Sequence, residues 1–247
     1  MKEMSVQFLG SGDAFGSGGR FQTCIYVATP GLRFLIDCGA SSLIAMKRYG
    51  VDPSLIDVIL LTHLHGDHFG GLPFFMLDAQ LIQKRTRPLL VAGPPGSRTR
   101  IHNAMEALFP GSSQVQQKFA LGFLELPERK TTAVGGLQVT AYPVVHASGA
   151  TPYALRVECE EKVLAYSGDT EWTDSLLEAA GGADLFICEA YFFEKKMKCH
   201  LDYQTLIRQR ARLGCRRLIV THMNTDLLAR LSEVEIEYAE DGKQIIL

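Results

Sequence analysis

The stretch LTHLHGDHFGG, residues 61–71, gathers three of the chain's seven histidines, His63, His65 and His68, around one aspartate, Asp67. It follows the apolar run Val58 to Leu61, which reads as a strand, and it runs into Gly70 and Gly71, which mark a turn toward a helix. His63 and His65 are two positions apart and point the same way from an extended backbone, whereas Asp67 and His68 sit at the turn. One group of side chains can therefore face a first metal ion and the other group a second.

Three further segments end in the same way. VTAYPVVH ends at His146, VLAYSGD at Asp169 and RLIVTH at His222. Four predicted strands thus deliver an imidazole or a carboxylate at their C-terminal ends, the edge at which open α/β sheets bind ligands. Zinc and similar divalent ions accept imidazole nitrogen and carboxylate oxygen, and a catalytic ion keeps one position open for water. Five histidines and two aspartates in these places are enough for two ions. A lone histidine after a strand is ordinarily a core or capping residue, but that reading does not account for the whole set.

The 247 residues give room for a sizeable core, and we read residues 1–247 as a single domain. Apolar residues make up 47% and charged residues 21%, and the net charge of −2 gives no general attraction to nucleic acid or anionic membrane. MKEMSVQFLG has neither the basic start nor the long apolar run of a secretion signal, and no window reaches the about eighteen apolar residues of a spanning helix. Six scattered cysteines without a CxxC pair suit reduced, buried thiols, so a cytoplasmic protein away from membranes is expected.

Strands are predicted at 5–9, 24–28, 33–37, 58–61, 89–92, 119–125, 137–145, 153–158, 163–166, 185–188, 217–220, 235–238 and 244–247. Helices are predicted at 41–48, 71–84, 97–108, 173–180 and 203–213, the last with Asp202 as N-cap and Gly214 just past its end. Consecutive strands dominate the N-terminal part and alternate with helices later, which predicts an α/β protein with two sheets and helices outside. GSGDAFGSGG after the first strand is not a dinucleotide loop: Phe15 stands where the third glycine belongs, and another strand follows instead of a helix. A flexible glycine loop near a ligand is the expectation there.

HLHGDH, His146, SGDT with Asp169, and THM with His222 resemble, in order and over nearly the whole chain, the ligand set of the metallo-β-lactamase superfamily. LGSGDAF, FLIDCG, ADLFICEA around Glu189 and HLDYQT around His200 are similar to the phosphodiesterase branch that contains ribonuclease Z. The resemblance implies a four-layer αββα sandwich of two mixed sheets with helices outside. It also implies two divalent ions, zinc foremost with manganese or iron as alternatives. His63, His65 and His146 would hold one, Asp67, His68 and His222 the other, and Asp169 would bridge them.

Two such ions about 3.5 to 4 Å apart can share a hydroxide, lower its pKa and clamp the charge that develops on a phosphoryl oxygen. Asp67 can orient that hydroxide. His200 completes neither ion and is free to protonate the leaving oxygen or to bind phosphate, with Glu189 orienting it. Arg20, Lys195, Lys196 and Lys198 are candidate contacts to an anionic substrate. Ribonuclease Z grips tRNA through a glycine- and proline-rich arm between the ligands that correspond to His146 and Asp169; only 22 residues separate them here, so the arm is absent. We therefore expect a small or cyclic phosphodiester substrate rather than tRNA. Nucleic acid stays an open partner, and so does a second copy of the chain. Thioester or lactone hydrolysis on the same fold, or an iron persulfide dioxygenase with the same HxHxDH, are the alternatives.

Overall fold

In the computed structural model, which describes residues 3–247, alternation along each strand sets which layer it faces. The first sheet holds β1 (Ser5–Gly10), β2 (Cys24–Ala28), β3 (Arg33–Ile36), β4 (Val58–Leu60), β5 (Leu89–Gly93) and β6 (Leu121–Glu125). The second holds β7 (Thr132–Val134), β8 (Leu137–Pro143), β9 (Tyr153–Cys159), β10 (Lys162–Tyr166), β11 (Leu185–Glu189), β12 (Leu218–Thr221) and β13 (Glu237–Tyr238). β14 (Gln244–Ile246) returns to the first sheet and pairs antiparallel with β1. The strand orders are β14-β1-β2-β3-β4-β5-β6 and β13-β12-β11-β10-β9-β8-β7. Each sheet is antiparallel in one half and parallel in the other, the parallel parts being β3 to β6 and β10 to β13.

Val6 and Phe8 of β1, Phe34 and Ile36 of β3, and Val58 and Leu60 of β4 meet Tyr153, Leu155 and Val157 of β9 in a core between the sheets. The intervening Leu35 and Ile59 face the other way, onto helices. These are α1 (Ser42–Arg48), α2 (Gly66–Phe69), α3 (Leu72–Leu77) and α4 (Ser97–Leu108) on the first sheet, and α5 (Ser175–Ala180), α6 (Tyr203–Leu213) and α7 (Thr225–Leu228) on the second. Three apolar cores separated by two sheets make the four-layer αββα sandwich that the motifs imply.

Several boundaries differ from the expectation, each for a local reason. The helix expected over 71–84 is α3 followed by a wider π turn over Asp78–Ile82. That turn leads into Arg85, which is 3% exposed and donates to the carbonyls of Pro53, Ser54, Ile56, Arg87 and Pro88. β6 begins at Leu121 because Phe119 turns into the helix-side core. β7 and α7 are additional, short elements; α7 starts where the Asn224 side chain accepts the N–H groups of Asp226 and Leu227. α6 runs from an Asp202 side-chain cap to Gly214 in the left-handed region, as its punctuation predicts.

Candidate metal centre

The parallel halves of the two sheets aim their C-terminal ends at one edge, and the chemistry collects there. His63 and His65 follow β4, Asp67 and His68 lie in α2, His146 follows β8, Asp169 follows β10 and His222 follows β12. The turn that carries Asp67 packs so closely on the end of β3 that a side chain at Gly39 would overlap the Asp67 carbonyl. Asp37 and His222, at the ends of β3 and β12, take left-handed backbone at φ 59° and 60°. Non-glycine residues do so at a cost, and such positions gather at functional sites.

Donor atoms of His63, His65 and His146 lie within 4.8 Å of one another, and so do those of Asp67, His68, Asp169 and His222. Asp169 Oδ2 is 3.3 Å from His222 Nε2 and 3.8 Å from both His63 Nε2 and His146 Nε2, so it stands between the two groups. Asp67 Oδ2 is 3.3 Å from His68 Nε2, and His146 Nε2 is 3.0 Å from His65 Nδ1. Donors at ordinary Zn–N lengths and tetrahedral angles are about 3.3 Å apart, so these separations fit ion-sized gaps.

The far side of most rings is fixed. His68 Nδ1 is 2.7 Å from Asp37 Oδ2, His146 Nδ1 is 2.7 Å from the Cys199 carbonyl, His63 Nδ1 is 3.1 Å from the Thr62 hydroxyl and His222 Nδ1 is 3.4 Å from that of Thr23. A carbonyl can only accept, so His146 carries its proton on Nδ1 and presents the Nε2 lone pair to the centre. Asp37 is in turn held by the N–H and hydroxyl of Thr62, both at 2.8 Å.

Three carboxylates, Asp37, Asp67 and Asp169, are buried around His68. Burial opposes charge on Asp169, yet His222 and His68 hold it well below the usual carboxylate range. Burial likewise opposes charge on His68, but Asp169, Asp67 and Asp37 lift it well above the ordinary imidazole value. Burial and the neighbouring His68 keep His63 neutral, as a ligand must be. His63 Nε2, His68 Nε2 and Asp169 Oδ1 are buried without a hydrogen-bond partner in the described residues, although the last two atoms are only 3.2 Å apart. Orphaned donor atoms in a pocket that stabilises positive charge fit divalent cations.

Beside this centre, His200 Nδ1 lies 3.0 Å from Glu189 Oε2, while Glu189 Oε1 accepts the N–H of Thr170. Burial works against a charged His200, but the hydrogen bond and charge of Glu189, with Asp169 and Asp67, raise its pKa to about 9. Its ring is 5.0 Å from that of His146 and stacks on Tyr191 at 4.6 Å. The basic residues are placed differently. Arg20 donates to the Ala239 carbonyl at 2.5 Å and the Ser11 hydroxyl at 3.2 Å, which engages its guanidinium in the fold. Lys195 lies over the Phe192 ring, and Lys196 pairs with Asp202. Lys196 and Lys198 line a cleft of about 340 Å³ with Trp172 and His200.

The glycine loop after β1 is pinned, in contrast to the flexibility expected of it. Asp13 accepts the N–H groups of Phe15 and Ser17 and the Ser17 hydroxyl, and the Ser11 carbonyl accepts the His222 N–H at 3.1 Å. Asp37, Thr23, Thr62 and the Cys199 carbonyl are functional groups that pattern reading passes over. Only Asp37 left a signal, in FLIDCG.

This fold and site define a metal-dependent hydrolase of the metallo-β-lactamase superfamily that resembles ribonuclease Z. Within that class, the chain belongs to the family described as Anti-Pycsar protein Apyc1, which matches residues 4–242. Ribonuclease Z of Agathobacter rectalis is 27% identical over 277 aligned positions, covering 91% of this chain and 89% of that protein. The short form of human tRNase Z superposes with a TM-score of 0.78 at 25% identity, with 98% of each chain covered. The metallo-β-lactamase fold protein YhfI of Bacillus subtilis superposes with a TM-score of 0.81 at 19% identity, covering 99% of this chain and all of its own, a likeness of fold. An alignment of 277 positions exceeds the 247 residues of this chain, so the Agathobacter protein carries residues there that this chain lacks. Among the described residues, no helix is long and apolar enough to cross a membrane.

Proposed function

We propose that residues 1–247 act as one catalytic domain that hydrolyses a small or cyclic phosphodiester. In this reading His63, His65 and His146 hold one divalent ion, Asp67, His68 and His222 hold a second, and Asp169 is shared. The observation that carries it is the meeting of two donor groups at the buried carboxylate of Asp169. Zinc suits this imidazole-rich set best, with manganese or iron also accommodated. When bound, the ions supply an acidified water and offset the charge that grows on the phosphoryl oxygens.

The remaining work falls to side chains. Asp67, besides holding an ion, would orient the attacking water. His200, held at Nδ1 by Glu189, offers the proton on Nε2 to the leaving oxygen. Lys198, at the rim of the His200 cleft, favours an anionic substrate, while the charge of Lys196 is met by Asp202. The preference for a small substrate rests on the segment between His146 and Asp169. It is filled by β9, β10 and a two-residue turn, Glu160–Glu161, where the tRNA-gripping arm would start. A second reading, 3′ processing of tRNA, draws on the names of the relatives.

Elemental analysis with matched assays of bis(4-nitrophenyl) phosphate and precursor tRNA tests the proposal. We expect close to two divalent ions per chain, efficient cleavage of the diester and poor cleavage of tRNA. Asp169→Ala should remove much more than one ion's share of activity. Accurate, efficient release of tRNA 3′ trailers would establish the second reading. A single iron with oxygen uptake on a persulfide, or preference for a thioester or lactone, would overturn both.

A further inference from the structure

The loop that carries His200 is exposed over residues 194–198, and it turns back so that Met197 and His200 form an isolated antiparallel bridge. Within that turn Cys199 takes left-handed backbone at φ 69°. A residue with a Cβ does so at a cost, so the turn needs an outside tie to persist. Glu171 supplies one. Its Oε1 accepts the Cys199 N–H at 2.8 Å, while the Cys199 carbonyl is 2.7 Å from His146 Nδ1, so this residue is gripped from both sides. Glu171 itself stands on a fixed base two positions past Asp169. Its N–H donates to the Val145 carbonyl at 3.1 Å, and the Val145 N–H donates to the Thr170 hydroxyl at 3.0 Å. The Thr170 N–H donates to Glu189, the carboxylate that also holds His200 Nδ1. Two neighbouring residues thus hold two others, Glu171 on Cys199 directly and Thr170 on His200 through Glu189.

Resting on the phosphodiesterase reading above, we propose that Glu171 is a positioning residue: through Cys199 it fixes where His200 stands relative to the metal ligands, and so where the proton is delivered. Glu189 orients the imidazole ring, but it does not hold the main chain that bears the ring. Proton transfer requires the donor within hydrogen-bond reach of the leaving oxygen, which a loosened turn no longer guarantees. The role calls for an acceptor at this place and not for a charge. Glu171 also lines the His200 cleft with Lys196 and Lys198, where a negative charge opposes an anionic substrate; its bond to Cys199 gives the side chain another task.

The test compares Glu171→Ala with Glu171→Gln, whose amide oxygen can still accept the Cys199 N–H, in the protein with its metals bound. Glu171→Ala should lower kcat for a diester with an alkyl leaving group by about tenfold to a hundredfold, the cost of a displaced catalytic group, and for a nitrophenyl diester by about threefold or less. Glu171→Gln should stay within about threefold of wild type on both. In a His200→Ala background, Glu171→Ala should add nothing to the loss on the alkyl diester, because both changes act on one proton. Amide hydrogen exchange at Cys199, read by NMR, should quicken about tenfold or more in Glu171→Ala and far less in Glu171→Gln. Equal losses on the two diesters, equal losses in the two variants, loss of metal, or unchanged exchange at Cys199 would overturn the positioning role and leave the phosphodiesterase reading standing. A wild type that hydrolyses neither diester would instead overturn that reading, and the role with it.

Discussion

His200 is the residue whose role a substitution separates most cleanly from support of the loop. Its proton counts only when the leaving oxygen is basic, because a nitrophenolate departs without help while an alkyl or ribose oxygen needs protonation in the transition state. We expect His200→Ala to lower kcat/KM for alkyl-leaving diesters by about 10² to 10⁴ and for nitrophenyl diesters far less, with metal content unchanged. Glu189→Gln, which keeps a hydrogen-bonding group near Nδ1 and removes the charge, should give a smaller loss of the same kind. Rates across diesters of graded leaving-group pKa, with metals quantified in each protein, decide it. A uniform loss would restrict His200 to substrate binding. At this scale the histidines and aspartates of the centre were legible because their type and spacing repeat at strand ends. The groups that hold them were not. One is a main-chain carbonyl at Cys199, and Thr23 reaches His222 only through the folded structure, so neither leaves a mark in the pattern.

The β9–β10 hairpin is the element in which local sequence and conformation disagree most. Its two-residue turn places Glu160 and Glu161 at φ 50° and 68°, the left-handed pair of a tight hairpin that Asn-Gly adopts readily. Left-handed backbone costs an L-residue about 1–2 kcal/mol, and Glu160 Oε2 is also buried without a hydrogen-bond partner. Glu160→Asn with Glu161→Gly should therefore stabilise the protein by about 1–2 kcal/mol, raising Tm by about 2–8 °C at this chain length with activity unchanged. Thermal unfolding followed by circular dichroism measures it, and an unchanged or lower Tm would refute the strain. Elements with strong punctuation, such as α6 between Asp202 and Gly214, could be read to the residue. The π turn after α3 could not, because its partners are carbonyls of loops some thirty residues earlier, reached by Arg85.

Across the whole molecule, the centre draws on both sheets: the HLHGDH residues come from the first, and His146, Asp169 and His222 from the second. Metal held there would tie the two halves together, and ligands that bind only the folded state add stability by mass action, about 2.7 kcal/mol at a hundredfold excess over Kd. Chelation followed by dialysis should lower Tm by about 5–11 °C, and added zinc should restore it. Calorimetry showing no change on metal removal would mean that the sheets hold the centre without help. The sandwich itself was readable from the order of strands and helices, since alternating and continuous apolar runs report which layers each strand faces.

The pairing of β1 with β14 and the position of His222 also govern the order in which the protein comes into being. A ribosome delivers the HLHGDH segment first, and the last imidazole of the centre and the outer neighbour of the first strand follow only after β5 to β12. Nascent or prematurely released chains that stop short of residue 222 carry an incomplete centre and an open sheet edge. Catalysis in a cell extract therefore reports polypeptides synthesised at least through His222, and abortive fragments stay silent.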